Sequence, residues 1–274
     1  MANQARKAFT LVEMSMVLVI IGLVIMIVYP ALGAFRQSMQ ASATQSNLQA
    51  LMRATAAFVQ NNGCLPCPTP ASTTGVGFGR VRGDTLTAMC SVCPIAEGIV
   101  PFVSLGIPMQ TTKDGWGRWI TLRVDPALTI NFGVAPPTEL CLASDPAPCV
   151  VGESRKGLCQ ASLTTANRVS VTTAGGAAQQ AAIIFVSHGA NGWGAYKADP
   201  LVSAGSNTHP TFGGGLTPCS ATGGFERCNA NGDLSFVNAP FSNDPTALYD
   251  DVMLYAGRDA LVTYLGNAAC QTTW

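Results

Sequence analysis

The sequence predicts an α+β fold: a long N-terminal α-helix, membrane-spanning in its first half, packed by its second half on an antiparallel β-sheet body with long disulfide-stapled loops. Three observations predict it. An apolar run extends from Met14 to Tyr29, directly behind Phe9-Thr10-Leu11-Val12-Glu13. A proline-free amphipathic stretch continues it from Ala31 to Asn61. After residue 63 no useful helical periodicity occurs, and short apolar or alternating runs alternate with Gly- and Pro-rich connections.

The N-terminal segment comes first. Met1 to Ala8 is polar and carries Arg6 and Lys7. Phe9 to Tyr29 would rise about 31 Å as a helix, enough to cross a hydrocarbon core. The basic flank places the N-terminus in the cytoplasm and the bulk of the chain outside. Three readings compete: a secretory signal peptide cleaved near Ala31-Leu32-Gly33-Ala34, a plain single-pass anchor, and a processed leader joined to an assembly helix. Glu13 separates them. A carboxylate inside a membrane helix costs roughly 2.5–3.5 kcal/mol and points to function, and neither of the first two readings uses it.

The stretch behind the apolar run also bears on the choice. Phe35, Met39, Leu48, Leu51, Met52, Thr55, Phe58 and Val59 recur at spacings of three and four, with polar residues between them. Asn61-Asn62-Gly63 is a C-terminal stop signal. One helix is therefore expected from about Thr10 to about Gln60, roughly 75 Å long. A cleaved signal peptide would not be continued in this way.

Phe9-Thr10-Leu11-Val12-Glu13-Met14-Ser15 resembles the N-terminus of type IV pilins and type II secretion pseudopilins. The resemblance implies a pilin-like fold and cleavage by a prepilin peptidase between Ala8 and Phe9, with methylation of the new Phe9 amine. The residue before the cut is usually glycine in that family, and here it is Ala8. It implies that Glu13 of one subunit neutralises the Phe9 amine of a neighbour during assembly. The local alternative pairs Glu13 with its own helix dipole and its own amine. Gly22 and Pro30 fall where such helices carry flexible points. The implied organisation is a leader over 1–8, a membrane and assembly helix over 9–62, and an extracytoplasmic body over 63–274.

The implied partners are other pilin or pseudopilin subunits, the prepilin peptidase/methyltransferase and the inner-membrane assembly machinery. The implied location is the bacterial inner membrane, then a filament and the cell surface. The length of 274 residues favours a minor or specialised subunit. The alternative is a membrane-anchored adhesin or ligand-binding ectodomain at a pilus tip. Leu65-Pro66-Cys67-Pro68, Ser187-His188-Gly189 and Asp250-Asp251-Val252 are also similar to segments of longer prepilin-like proteins.

Ten cysteines, at 64, 67, 90, 93, 141, 149, 159, 219, 228 and 270, all lie beyond the helix. In an exported body they read as disulfides: Cys64, Cys67, Cys90, Cys93, Cys141, Cys149, Cys159, Cys219, Cys228 and Cys270 are all candidates, with connectivity open. Cys64-x-x-Cys67 and Cys90-x-x-Cys93 would read as a zinc ribbon in a cytosolic protein. Outside the membrane, disulfides are the expectation. With 15 basic and 15 acidic residues and no basic stripe, no nucleic-acid partner is expected.

Strands are expected over Ile99 to Leu105, Arg118 to Val124, Ala127 to Val134 (paired with the preceding run across Asp125-Pro126), Arg168 to Thr173, Ala182 to Ser187, Leu234 to Val237 and Val252 to Tyr255. Asp114-Gly115-Trp116-Gly117 reads as a turn with Trp116 as a core anchor and Asp114 as a cap. No catalytic residue and no cofactor are expected. Ser187 and His188 are neighbours on a strand and so point to opposite faces, and His209 lies in a Gly/Pro/Thr loop. Asn229, Asn231 and Asp233 place oxygen ligands at alternate positions beside Gly232, with Asp250-Asp251 to add carboxylates, a calcium-type pattern.

Overall fold

The computed structural model describes residues 11–62, 64–81, 93–125, 128–129, 169–173, 176–196, 224–244, 248–257 and 260–261, side chains at 27, 28, 30, 31 and 34 excepted. The chain forms two compact units, Met1–Gln40 and Ala41–Trp274. Helix α1 (Leu11–Asn62) supplies the described part of the first unit and opens the second.

In the first unit the described apolar side chains are exposed, from Leu11 to Met39. Phe35 (63% exposed) and Met39 (57%) therefore do not belong to the core-facing stripe that their spacing predicts. Periodicity marks a face but not where a partner begins. Among the described residues no helix is long and apolar enough to cross a membrane.

In the second unit α1 is one-sided. Thr44, Leu48, Leu51, Met52, Thr55, Phe58 and Val59 are buried, at helical spacing. The helix ends at Asn62, whose side-chain amide donates to the Phe58 carbonyl at 2.9 Å. Gly63 lies outside the described residues.

The body is built on two sheets. The first is antiparallel, in the order β1 (Glu97–Ile99), β2 (Thr121–Val124), β5 (Ile183–Ser187), β7 (Val252–Ala256). The second has β4 (Ala178–Gln180) and β6 (Ser235–Asn238) flanking β3 (Ser170–Thr173). β5 explains the layering. Its run Ile183-Ile184-Phe185-Val186-Ser187 is buried throughout. Ile183 and Phe185 join Leu48, Leu51, Val59, Ile120 and Leu122 in one core. Ile184 and Val186 join Val169, Val171 and Phe236 in another. The first sheet thus lies between α1 and the second sheet, and an apolar run without alternation is what a strand covered on both faces requires.

Three strand expectations need correction. Of Ala127 to Val134, expected to pair with β2, only 128 and 129 are among the described residues, and β1 and β5 take both edges of β2. Leu128 instead closes a turn, its N–H donating to the Asp125 carbonyl and its carbonyl accepting from Leu65. The strand expected over Ile99 to Leu105 ends at Ile99, because Pro101 has no N–H to donate and Leu105 donates back to its carbonyl in a turn. The second sheet is not purely antiparallel, since β3 and β6 run parallel. A short helix, α2 (Phe225–Cys228), follows Gly224, whose φ of 70° suits glycine.

Trp116 is half-buried, whereas Trp119 is the enclosed aromatic. Trp119 stacks with Phe102 at 6.2 Å between centroids and meets Phe78 edge-on at 5.6 Å. Cys67 and Cys93 form a disulfide that links the two C-x-x-C pairs. It packs with Phe58 of α1 and with Val81. Cys64 and Cys228 are disulfide-bonded as well. Cys90, Cys141, Cys149, Cys159, Cys219 and Cys270 lie outside the described residues.

Candidate functional site

Glu13 stands in the first turn of α1, exposed among exposed apolar side chains. A carboxylate there is favoured by the partial positive charge of the helix N-terminus. Ser15 closes the same turn, its hydroxyl donating to the Val12 carbonyl at 2.8 Å. Gly22 is exposed, with nothing within 4 Å of a Cβ built there, and the helix backbone continues through Pro30. Ala8 and Phe9 lie outside the described residues.

A second constellation lies where β5 ends and β7 begins. The register pairs Ser187 with Val252, so the antiparallel geometry brings His188 beside Asp251. His188 Nε2 lies 3.2 Å from Thr121 Oγ1, and its Nδ1 faces Asp251 Oδ1 at 3.7 Å. That contact is too long for a hydrogen bond. Asp251 Oδ2 accepts from Asn229 Nδ2 at 2.8 Å. Glu226, from α2, accepts from Asn191 Nδ2 (2.8 Å) and from the Asp250 N–H (3.0 Å) on one oxygen. Asp250 Oδ2 accepts from the Asn191 N–H at 2.9 Å. Carboxylate oxygens of Glu226, Asp250 and Asp251 lie within 4.8 Å of one another.

The electrostatics arise from this crowding. Burial, then the neighbouring Asp251 and Asp250, push the Glu226 carboxyl up to about 8. Burial also raises Asp251, opposed by His188 and the Asn229 hydrogen bond.

The Asp114 turn is a third feature. Asp114 Oδ1 accepts the N–H groups of Trp116 (2.9 Å) and Arg118 (2.8 Å), and Oδ2 accepts the Ser187 hydroxyl at 2.9 Å. Gly117 takes φ +80°. Thr44 and Asn47 of α1 hold this turn, through the Gly115 N–H (2.9 Å) and the Lys113 carbonyl (2.8 Å). Ser187 and His188 thus serve different partners, Asp114 and Thr121, and do not meet as a dyad.

Residues 3–29 match the prokaryotic N-terminal methylation motif. The chain carries a prepilin-type cleavage and methylation signal. The match spans Phe9 to Glu13 and the apolar run behind them. No curated protein and no solved structure matches the chain. The motif supports a subunit of the type IV pilin or pseudopilin kind.

The remaining predicted site residues of this prepilin-type chain fall differently. Asn231 and Asp233 are exposed and bond each other at 2.7 Å, while Asp233 also receives the Ser235 N–H. Asn229 is buried and turned to β6, where its side chain both accepts from and donates to Val237. The three are not brought to one point. The carboxylates that do converge include Asp250 and Asp251, joined by Glu226, which sequence spacing does not single out. His209 lies outside the described residues.

Proposed function

We propose that the chain is a filament subunit of a type IV pilus or type II secretion pseudopilus, minor or specialised in role. In this reading the prepilin peptidase removes residues 1–8 before Phe9. The helix over 9–62 holds the chain in the inner membrane and then packs with neighbouring subunits. The body over 63–274 stays outside and carries no catalytic role. The observation that carries the reading is the methylation motif with Glu13 in the first turn of an exposed apolar helix.

Glu13 then supplies the charge that meets the Phe9 amine of the next subunit. In an apolar medium an unpaired charge is costly, so this pairing fixes the axial offset between subunits. Gly22 and Pro30 give the packed helix points at which it extends under load. The test is Glu13→Ala. The variant should be processed and membrane-inserted at wild-type levels yet be missing from sheared filaments. Wild-type incorporation of Glu13→Ala would overturn the assembly role.

A further inference from the structure

We propose that Asn231 is a self-modifying site: the backbone nitrogen of Gly232 attacks its side-chain amide and converts it, with water as the only co-reactant, to aspartate and isoaspartate. The sequence contains three Asn-Gly pairs, at 62–63, 191–192 and 231–232. Glycine has no Cβ to shield its backbone nitrogen, so each pair is chemically competent. The structure separates them.

Asn231 and Gly232 are both exposed, in the turn between α2 and β6. The Asn231 side chain folds back along the chain. Its Oδ1 accepts from the Asp233 N–H at 2.9 Å, which lays the amide carbon beside the intervening Gly232 nitrogen. The same hydrogen bond polarises the carbonyl and stabilises the negative charge that develops on its oxygen during attack. Among the described residues no acceptor holds the Gly232 N–H. A Cβ built on Gly232 would meet nothing within 4 Å, so water reaches the reacting atoms.

The other two pairs are held. Asn191 makes the same turn, with Oδ1 accepting from the Trp193 N–H at 2.8 Å. Its Nδ2, however, donates to Glu226, and its backbone N–H donates to Asp250. The Gly192 N–H, which would have to lose its proton, donates to the His188 carbonyl at 2.8 Å. Asn62 ends α1, with its Nδ2 tied back to the Phe58 carbonyl. Asn229, close to Asn231 in sequence, is buried and bonded through both amide atoms to Val237.

The reaction balances without an oxidant or a reductant. The Gly232 nitrogen gives its proton to solvent hydroxide and bonds to Asn231 Cγ. The Cγ–Nδ2 bond breaks, and the nitrogen leaves as ammonia after taking a proton from water. Water then opens the succinimide ring at either carbonyl. Opening at Cγ gives aspartate, and opening at the backbone carbonyl gives isoaspartate. The product sets a carboxylate beside Asp233, where an Nδ2–H donor stood at 2.7 Å. Like charges then push Asp233 away, and Asp233 Oδ1 is the acceptor for the Ser235 N–H that opens β6. Conversion therefore adds negative charge to the surface and loosens the entry to β6.

The test keeps the full oxidised chain in detergent at mildly alkaline pH. Conversion is followed by peptide mass spectrometry, with fragmentation that separates isoaspartate from aspartate. In the folded chain Asn231 should convert about tenfold or more faster than Asn191, because Asn191 reacts only from a locally opened state. In the urea-unfolded chain the two pairs should react at similar rates. Asn231→Gln, whose longer side chain disfavours the ring, should leave its peptide unchanged. Conversion at Asn231 no faster than at Asn191 in the folded chain would overturn the proposal. So would a difference that persists in urea, since it would come from neighbouring residues rather than from the fold. Conversion that survives Asn231→Gln would place the reaction at Asn229 and overturn it as well.

Discussion

Replacing Cys67 and Cys93 together by alanine should destabilise the body by up to about 3.5 kcal/mol. The bridge joins residues 26 apart in sequence. Chain-entropy loss on closing a loop of that length is about 12 cal/mol/K, or about 3.5 kcal/mol at 25 °C. Cys64 and Cys228 are also bonded, so the unfolded chain stays cross-linked elsewhere and that figure is a ceiling. Alanine is the right replacement, because Cys67 is fully buried against Phe58 and Val81, where a hydroxyl would go unsatisfied. Urea unfolding under non-reducing conditions, followed by tryptophan fluorescence, gives the difference. A loss below about 0.5 kcal/mol would refute the reasoning, since the segment between the two cysteines would then gain nothing from being closed.

Leu51→Ala should cost about 2–5 kcal/mol, because Leu51 is fully buried between α1 and the first sheet. A thermal melt that leaves Tm unchanged would contradict that packing. Asp114→Ala should cost about 1–3 kcal/mol, since it strips two N–H groups and the Ser187 hydroxyl of their acceptor. Denaturant unfolding checks it, with loss of the Trp116 to Arg118 turn as the local sign. Glu226 has a folded pKa of about 8 against an ordinary 4.5, so its contribution is fully present below pH 4.5 and is lost as pH rises through about 8. Glu226→Gln should therefore flatten the fall of Tm across that window, and an unchanged slope would contradict the assignment.

The parts legible in the sequence are those set by local pattern. The stop at Asn61-Asn62 and the buried strand Ile183–Ser187 come from residue type, and the alternation of Ile120, Leu122 and Val124 from spacing. Spacing does not encode which surface meets which. Phe35 and Met39 carry the same helical period as Leu48 and Leu51, yet the first two are exposed and the latter two are buried. The hairpin across Asp125-Pro126 is locally plausible, but β5, far along the chain, takes that edge of β2. Arg123 looks like a solvent-facing alternate, yet it is buried and faces the half-buried Glu97, 3.5 Å away across the β1–β2 pair.

The acidic cluster shows the same limit. Asp250-Asp251 stands out as a pair, and His188 as one of two histidines. Their meeting depends on the β5–β7 register, and the third carboxylate comes from α2. Asn229 and Asp233 match a loop pattern by composition, but the backbone turns Asn229 inward and leaves Asp233 outside. The signal that could have found Glu226 is its place beside Cys228, in a segment with few other charges.

Processing of the N-terminus decides whether the chain behaves as a prepilin. Mass spectrometry of the N-terminal peptide, from protein extracted from the membrane of cells with an active prepilin peptidase, should give a chain beginning at Phe9 with a methylated amine. An intact Met1, or a start near Ala34 or Phe35, would contradict that role.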